Sequence, residues 1–186
     1  MKTEKQKMLA GELYDATDTE LTEDRLHARK LIRTYNECHE GDPNKLKNIL
    51  QKLIPNQGCN LNIQAPFYCD YGSNITIGED VYFNFNCVIL DVMEVKIGSR
   101  SMFGPSVQIY TATHPINHIE RATGLEFAKP ITIGEDVWVG GHAVICPGVT
   151  IGDRVVIAAG SVVTKDVHDD IIVGGNPCKI ISHLSE

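Results

Sequence analysis

The sequence has no clustered cysteines. Its six (Cys38, Cys59, Cys69, Cys87, Cys146 and Cys178) stand far apart, with no C-x-x-C or C-x-C pair, which argues against a disulfide frame or zinc knuckle and for free thiols in a reducing cytoplasm. It has no excess of positive charge: 17 Lys and Arg against 24 Asp and Glu give −7, so there is no electrostatic footprint for nucleic acid or an anionic membrane. It has no long apolar run either. The richest stretch, Ala143–Val163, is broken by Asp153 and Arg154 and punctuated by Gly148, Gly152 and Gly160, unlike a membrane span. The opening MKTEKQKMLAGELYD lacks an apolar core, so no secretory signal and a cytoplasmic location are expected. G-x-G-x-x-G and G-x-x-x-x-G-K-[ST] are both absent, which disfavours NAD and ATP chemistry. What remains, 42% apolar and 22% charged over 186 residues, fits one folded domain or a domain with an appendage.

A period of six organises the second half. Stepping by six from Ile133 gives Val139, Ile145, Ile151, Ile157 and Val163, every one β-branched. One residue later stand Gly134, Gly140, Cys146, Gly152, Ala158 and Thr164; four later stand Val137, Ala143, Val149, Val155, Ser161 and Val167. The same beat runs through Ile77, Phe83 and Ile89, slips by two residues around Asp91–Glu94, and resumes at Ile97, Phe103 and Ile109. A flat sheet would show period two and an amphipathic helix 3.6. Period six means a short extended segment and a turn, repeated; three segments close a triangular coil, and stacked coils form a parallel β-helix. The aliphatic column is expected to fill the prism, and the small residues to stand where the chain turns and neighbouring backbones crowd it, with glycine permitting the turn at many of them.

Two segments break the beat. Residues 1–56 read as a helical arm. Ala28, Leu31, Ile32 and Tyr35 mark one helix face, with Thr22 as N-cap; Asp42-Pro43 opens a second helix, on which Leu46, Ile49, Leu50 and Leu53 repeat the spacing before Pro55 ends it. Such an arm can cover the end of the prism or clasp a neighbour. The prism is expected over residues 57–181, with a tail at 182–186. Within it, the columns vanish over residues 110–130, a polar excursion too long for a corner. Solenoids commonly place function in such loops.

His114 lies in that excursion. An imidazole there can take a proton from an alcohol as a general base, or be a solvated loop histidine. His114, His118 and His142 offer a second reading, a zinc site of the carbonic anhydrase kind. Asp70, Asn84, Asn86 and Asp91 sit on or beside coils, where turn and corner roles are the ordinary ones. Trp138, the single tryptophan, faces out of a coil and suits either a ligand or a subunit contact. Lys165 and Lys179 either hold phosphates or are simply solvated.

The hexapeptide columns, Ala10–Tyr14 (AGELY), Thr111–Pro115 (TATHP), Lys129–Gly134 (KPITIG) and Gly174–Cys178 (GGNPC) together resemble the maltose/galactoside O-acetyltransferases, and the likeness spans essentially the whole chain. The resemblance implies a mainly β fold, a left-handed parallel β-helix with an N-terminal helical arm and one long excursion. It implies an acetyl-CoA-dependent O-acetyltransferase acting on a hydroxyl of a sugar such as maltose, glucose or a galactoside, assembled as a homotrimer with sites between subunits and needing no metal. On the family pattern the catalytic base falls on His114. The acceptor sugar lies near Asp70, Asn84 and Asp91, with Asn84 also a candidate to meet the developing oxyanion. Acetyl-CoA lies along Trp138, Gly141, Ala159, Thr164, Lys165 and Lys179. Two positions depart from the pattern. An acidic arm residue of some members falls on Ala16, next to Asp15, and a basic C-terminal residue falls on Ser182. A zinc-dependent hydratase and a non-catalytic trimeric scaffold are the alternative readings of the same prism.

Overall fold

The computed structural model describes residues 1–38 and 42–184. The body is a parallel β-solenoid with three sheets, one per side. The first side stacks Asn56–Gln57, Ile75–Ile77, Val95–Ile97, Ile131–Ile133 and Thr150–Ile151; the second runs from Asn62–Ile63 to Ile171–Gly174 and adds the antiparallel Lys179–His183; the third stacks Phe67–Cys69, Cys87–Leu90, Gln108–Tyr110, Val144–Ile145 and Val162–Val163. The chain visits sides one, two and three in turn on every coil. The last strand runs through His183, across the expected boundary at 182; Ser185 and Glu186 of the expected tail lie outside the described residues.

Register explains the beat and its slips. Ile133 pairs with Ile151, eighteen residues on, which is three hexapeptides. Ile77 pairs with Ile97 and Phe83 with Phe103, twenty residues on; Ile97 pairs with Ile133, thirty-six on. All the extra length enters at one corner, between sides three and one. There the chain inserts residues in 70–74, in 91–94 and, one coil later, in 110–130. Successive coils therefore stack their insertions along one edge.

The aliphatic column points inward as expected. Ile133, Val139, Ile145, Ile151, Ile157 and Val163 are all buried, and so is the column four residues later. Phe83 and Phe103 continue it as a stacked pair, centroids 4.3 Å apart. Burying each such side chain contributes about 1.5–3 kcal/mol.

Of the two causes expected for the small column, crowding by neighbouring backbones holds and the turn lies elsewhere. Most turns after sides one and two are made three residues after the inward residue, where Asp80, Asn86, Arg100, Ser106, Asp136, His142, Arg154 and Gly160 all take positive φ. The glycines one residue after the aliphatic are small because the next coil passes over them. A Cβ on Gly98 would sit 2.5 Å from the carbonyl carbon of Gly134, and one on Gly140 2.5 Å from the Ala159 nitrogen.

The arm contains α1 (Glu4–Leu9), α2 (Thr19–Glu37) and α3 (Pro43–Leu53). The cap of α2 is Asp18, whose carboxylate accepts from the N–H groups of Glu20 and Leu21; Thr22, expected as the cap, lies inside the first turn. Asp42 caps α3 with Pro43 next, as read from the sequence. Ile32, Tyr35, Leu50 and Leu53 join the prism core and close its top. Asn36 brackets Phe67, donating to its carbonyl at 3.0 Å and accepting from its N–H at 2.9 Å. No helix among the described residues is long and apolar enough to cross a membrane. All six cysteines are free.

Candidate active site

The edge that collects the insertions is held by buried polar side chains. Inserted residues leave amide groups that the regular ladder does not satisfy, and buried amides must find partners. Asp91, with no exposed surface, accepts from the N–H groups of Asp70 (2.9 Å) and Tyr71 (3.0 Å) through Oδ1 and of Gly72 (2.7 Å) through Oδ2. Burial pushes its carboxyl up to about 7, against the pull of those donors. One coil on, Thr111 repeats the device: its hydroxyl donates to the Leu90 carbonyl at 2.7 Å and accepts from the Met93 N–H at 3.1 Å. Asp91 therefore builds the corner and has no surface to offer a sugar, in contrast to the acceptor role expected of it.

Asp70, on the same edge, is half-buried. Its carboxyl is pushed up by burial and drawn down by Arg25 and Arg29. It opens onto a cavity of about 510 Å³ between α2 and side three, lined among others by Arg29, Arg33, Tyr68 and Leu90. Arg25 donates to the Tyr71 hydroxyl at 2.7 Å and to the Ala16 carbonyl. With alanine at position 16, that guanidinium meets a backbone oxygen where an acidic side chain was expected in some relatives.

The excursion leaves Thr111 as a short antiparallel ladder. Ala112–Thr113 pairs with Phe127–Ala128, and the Lys129 N–H returns to the Thr111 carbonyl at 3.0 Å. His114 follows the outgoing limb directly and is exposed; Pro115 behind it is buried. The tip carries α4 (His118–Arg121), a turn not anticipated from the sequence, and Arg121 folds back onto the carbonyls of Pro115 and Ile116.

Thr164 and Lys165 lie on the same edge as His114, further down the stack and exposed. Asn84, Gly141 and Ala159 occupy the other edge of side three, the corner between sides two and three. Gly141 and Ala159 are equivalent positions on neighbouring coils, about 4.8 Å apart. The N–H groups flanking Gly141, those of Gly140 and His142, donate to the Ile157 and Pro105 carbonyls, and that of Gly141 has no backbone acceptor among the described residues. Ala159 repeats the pattern between Ala158 and Gly160. Asn84 accepts from the Phe85 N–H at 2.8 Å through its Oδ1. Trp138 stands on side two just before this edge, 54% exposed. Lys179 begins the strand that pairs with Gly174 beside the same edge.

The expected residues thus fall into two groups separated by the width of side three. Cys87–Leu90, four residues long, spans about 13 Å at ~3.3 Å per residue, which puts His114 and Asn84 of one chain at opposite edges of that side. His114, His118 and His142 do not converge either. The first two belong to the excursion and the third to the opposite edge, and no group of three or more His, Cys, Asp or Glu able to hold a metal exists among the described residues.

Residues 7–58 match the family model described as the maltose acetyltransferase hexapeptide capping motif, and residues 130–165 match the bacterial transferase hexapeptide of six repeats. The chain is 38% identical over 181 residues to the galactoside O-acetyltransferase of Escherichia coli K12, covering 97% of this chain and 89% of that protein. The structure of a maltose O-acetyltransferase from Clostridium difficile 630 superposes with a TM-score of 0.98 at 45% identity, covering 100% of this chain and 99% of the other. A hexapeptide-repeat acetyltransferase from Vibrio cholerae O1 biovar eltor, solved with acetyl coenzyme A, superposes with a TM-score of 0.92 at 38% identity and full coverage of both chains.

Proposed function

Because the chain belongs to the maltose/galactoside O-acetyltransferase family of hexapeptide-repeat acetyltransferases, we propose that it transfers the acetyl group of acetyl-CoA to a hydroxyl of a sugar such as maltose, glucose or a galactoside, with His114 as general base. The solenoid takes the left hand of the hexapeptide class in this reading. The observation that carries it is the pairing of two unlike edges. One presents an exposed imidazole on an anchored ladder, and the other a column of unengaged N–H donors beside an exposed indole.

The separation of those edges favours a homotrimer in which the site lies between subunits, the imidazole edge of one copy facing the donor edge of the next. The outward columns support it. Side one shows Asn56, Thr76, Lys96, Thr132 and Thr150 to solvent, whereas side two shows Asn62 and then Tyr82, Met102, Trp138, Val156 and Ile172, and side three Tyr68, Val88, Gln108, Val144 and Val162. Two apolar sides meeting at one edge call for a partner.

In the transfer, a His114 ring nitrogen takes the proton of the sugar hydroxyl as that oxygen bonds to the thioester carbonyl carbon. The carbonyl oxygen, gaining charge, is met by the Asn84 amide or the Gly141 N–H. Collapse breaks the carbon–sulfur bond, and the departing CoA thiolate recovers a proton from the imidazolium. Asp70 orients the acceptor. Trp138, Ala159, Thr164, Lys165 and Lys179 line the path of CoA, and no metal takes part. The test is CoA release with a panel of sugars. His114→Ala is expected to lower kcat by about 10²–10⁴ with acetyl-CoA binding retained. Unchanged turnover would overturn the assignment of the base.

A further inference from the structure

The arm does more than close the top of the prism. Tyr14 donates its N–H to the Glu126 carbonyl at 3.0 Å, and the Glu126 N–H returns to the Tyr14 carbonyl at 3.2 Å, an antiparallel bridge between arm and excursion. Glu126 directly precedes Phe127–Ala128, the limb that pairs with Ala112–Thr113, and Thr113 directly precedes His114. Residue 14 is thus the outer strand of a small ladder whose opposite limb ends at His114. Its ring has no exposed surface and packs in a cluster with Met8, Leu21, Tyr71, Val92 and Ala128, which joins arm, insertion edge and excursion. The hydroxyl at the end of that ring is buried with no well-formed hydrogen bond among the described residues, and burial, together with the nearby Glu126 carboxylate, keeps it protonated. A buried hydroxyl left unbonded is a net cost, so the ring and the backbone bridge provide the hold. Ile116 and Ile119 at the tip of the excursion are 92% and 70% exposed, so apolar packing holds the limb only on the arm side, while beyond His114 the chain is held by the Arg121 hydrogen bonds to the Pro115 and Ile116 carbonyls.

We propose that Tyr14 is a positioning residue for acetyl transfer, fixing through this ladder the limb that presents His114. The proposal rests on the reading of His114 as base. Tyr14 touches no reacting atom; its effect is geometric, and misplacing a catalytic group by about 1 Å costs on the order of a hundredfold in rate.

The experiment compares Tyr14→Leu, Tyr14→Phe, Glu126→Pro and His114→Ala in the full chain, with kcat, the KM for acetyl-CoA and the Tm rise on adding CoA measured for each. Tyr14→Leu is expected to lower kcat roughly ten- to a hundredfold with the acetyl-CoA KM and the CoA-induced Tm rise unchanged. Tyr14→Phe should restore wild-type kcat with an equal or higher Tm. Glu126→Pro deletes one bridge N–H and the carboxylate near the Tyr14 hydroxyl, the second of which Tyr14→Phe controls for, and should reproduce the kcat loss even where Tyr14→Leu does not fold. Wild-type kcat in Glu126→Pro or in folded Tyr14→Leu, alongside an inactive His114→Ala, would overturn the positioning role and leave the base intact. Loss of kcat in Tyr14→Phe would overturn it as well, by assigning the work to the hydroxyl. An active His114→Ala would remove the base and with it the proposal.

Discussion

At the scale of single residues, the fate of Asp91 shows what a sequence conceals. The family pattern puts it near an acceptor; the fold spends both its oxygens on three backbone amides. Asp91→Ala would leave those buried N–H groups without an acceptor at about 1–3 kcal/mol each, so chemical denaturation should find the variant at least ~3 kcal/mol less stable. Its carboxyl, pushed up to about 7 by burial, also makes stability depend on pH. A folded pKa above the unfolded value of about 4 means stability that is fully present below that value and is lost as pH rises through about 7. The Tm of the wild type should therefore carry a fall between about pH 4 and pH 7 that Asp91→Asn, uncharged throughout, lacks. The two-residue slip at Asp91–Glu94 was visible in the sequence. What it did not reveal is that such a slip strands amides, and that the nearest carboxylate turns inward to meet them. The place of His114, exposed on the excursion, was legible because it sits where the beat stops; Thr111 and Tyr14, whose backbone and side-chain bonds anchor that excursion, carry no signal of period or charge.

At the scale of the elements, the six-residue columns disclosed the coils because sterics enforce them. An aliphatic that fills the prism and a glycine that lets the next coil pass cannot be exchanged without cost. Gly98 lies on the corner between sides one and two, away from both candidate edges. Gly98→Ala would drive a Cβ against the backbone of Gly134 and Glu135, and overpacking of this kind costs about 1–3 kcal/mol. A lower Tm with unchanged kcat is the expected outcome. The turn residue was less legible, since positive φ is taken by Asp, Asn, Arg, Ser and His as well as Gly. On the same corner those side chains serve a second purpose. Arg100 forks onto Asp136 at 2.7 and 2.8 Å, and Arg154 onto Asp170 at 2.6 and 2.8 Å. The pairing holds both aspartates below the ordinary carboxylate range. These pairs are exposed and screened, so their contribution should fade with added salt and be lost as the pH falls below that range.

At the scale of the whole molecule, the sequence supplied the prism, the arm and the excursion, and left out which edges meet. Periodicity places residues on sides, but proximity across a subunit boundary follows from apolar columns that become visible only once the register is known. A charge on such a column should prevent assembly. If the proposed trimer forms through these columns, Val144→Asp, on the outward face of side three, is expected to sediment as a single chain of 20.5 kDa and the wild type as three. The central claim, that one copy supplies His114 and its neighbour supplies Asn84, is tested most directly by mixing two inactive proteins. His114→Ala and Asn84→Ala chains, dissociated, combined and reassembled, should recover acetyl transfer, because hybrid trimers then contain boundaries with both groups intact. Mixtures as inactive as either parent, in trimers shown by mass to be hybrid, would contradict the account.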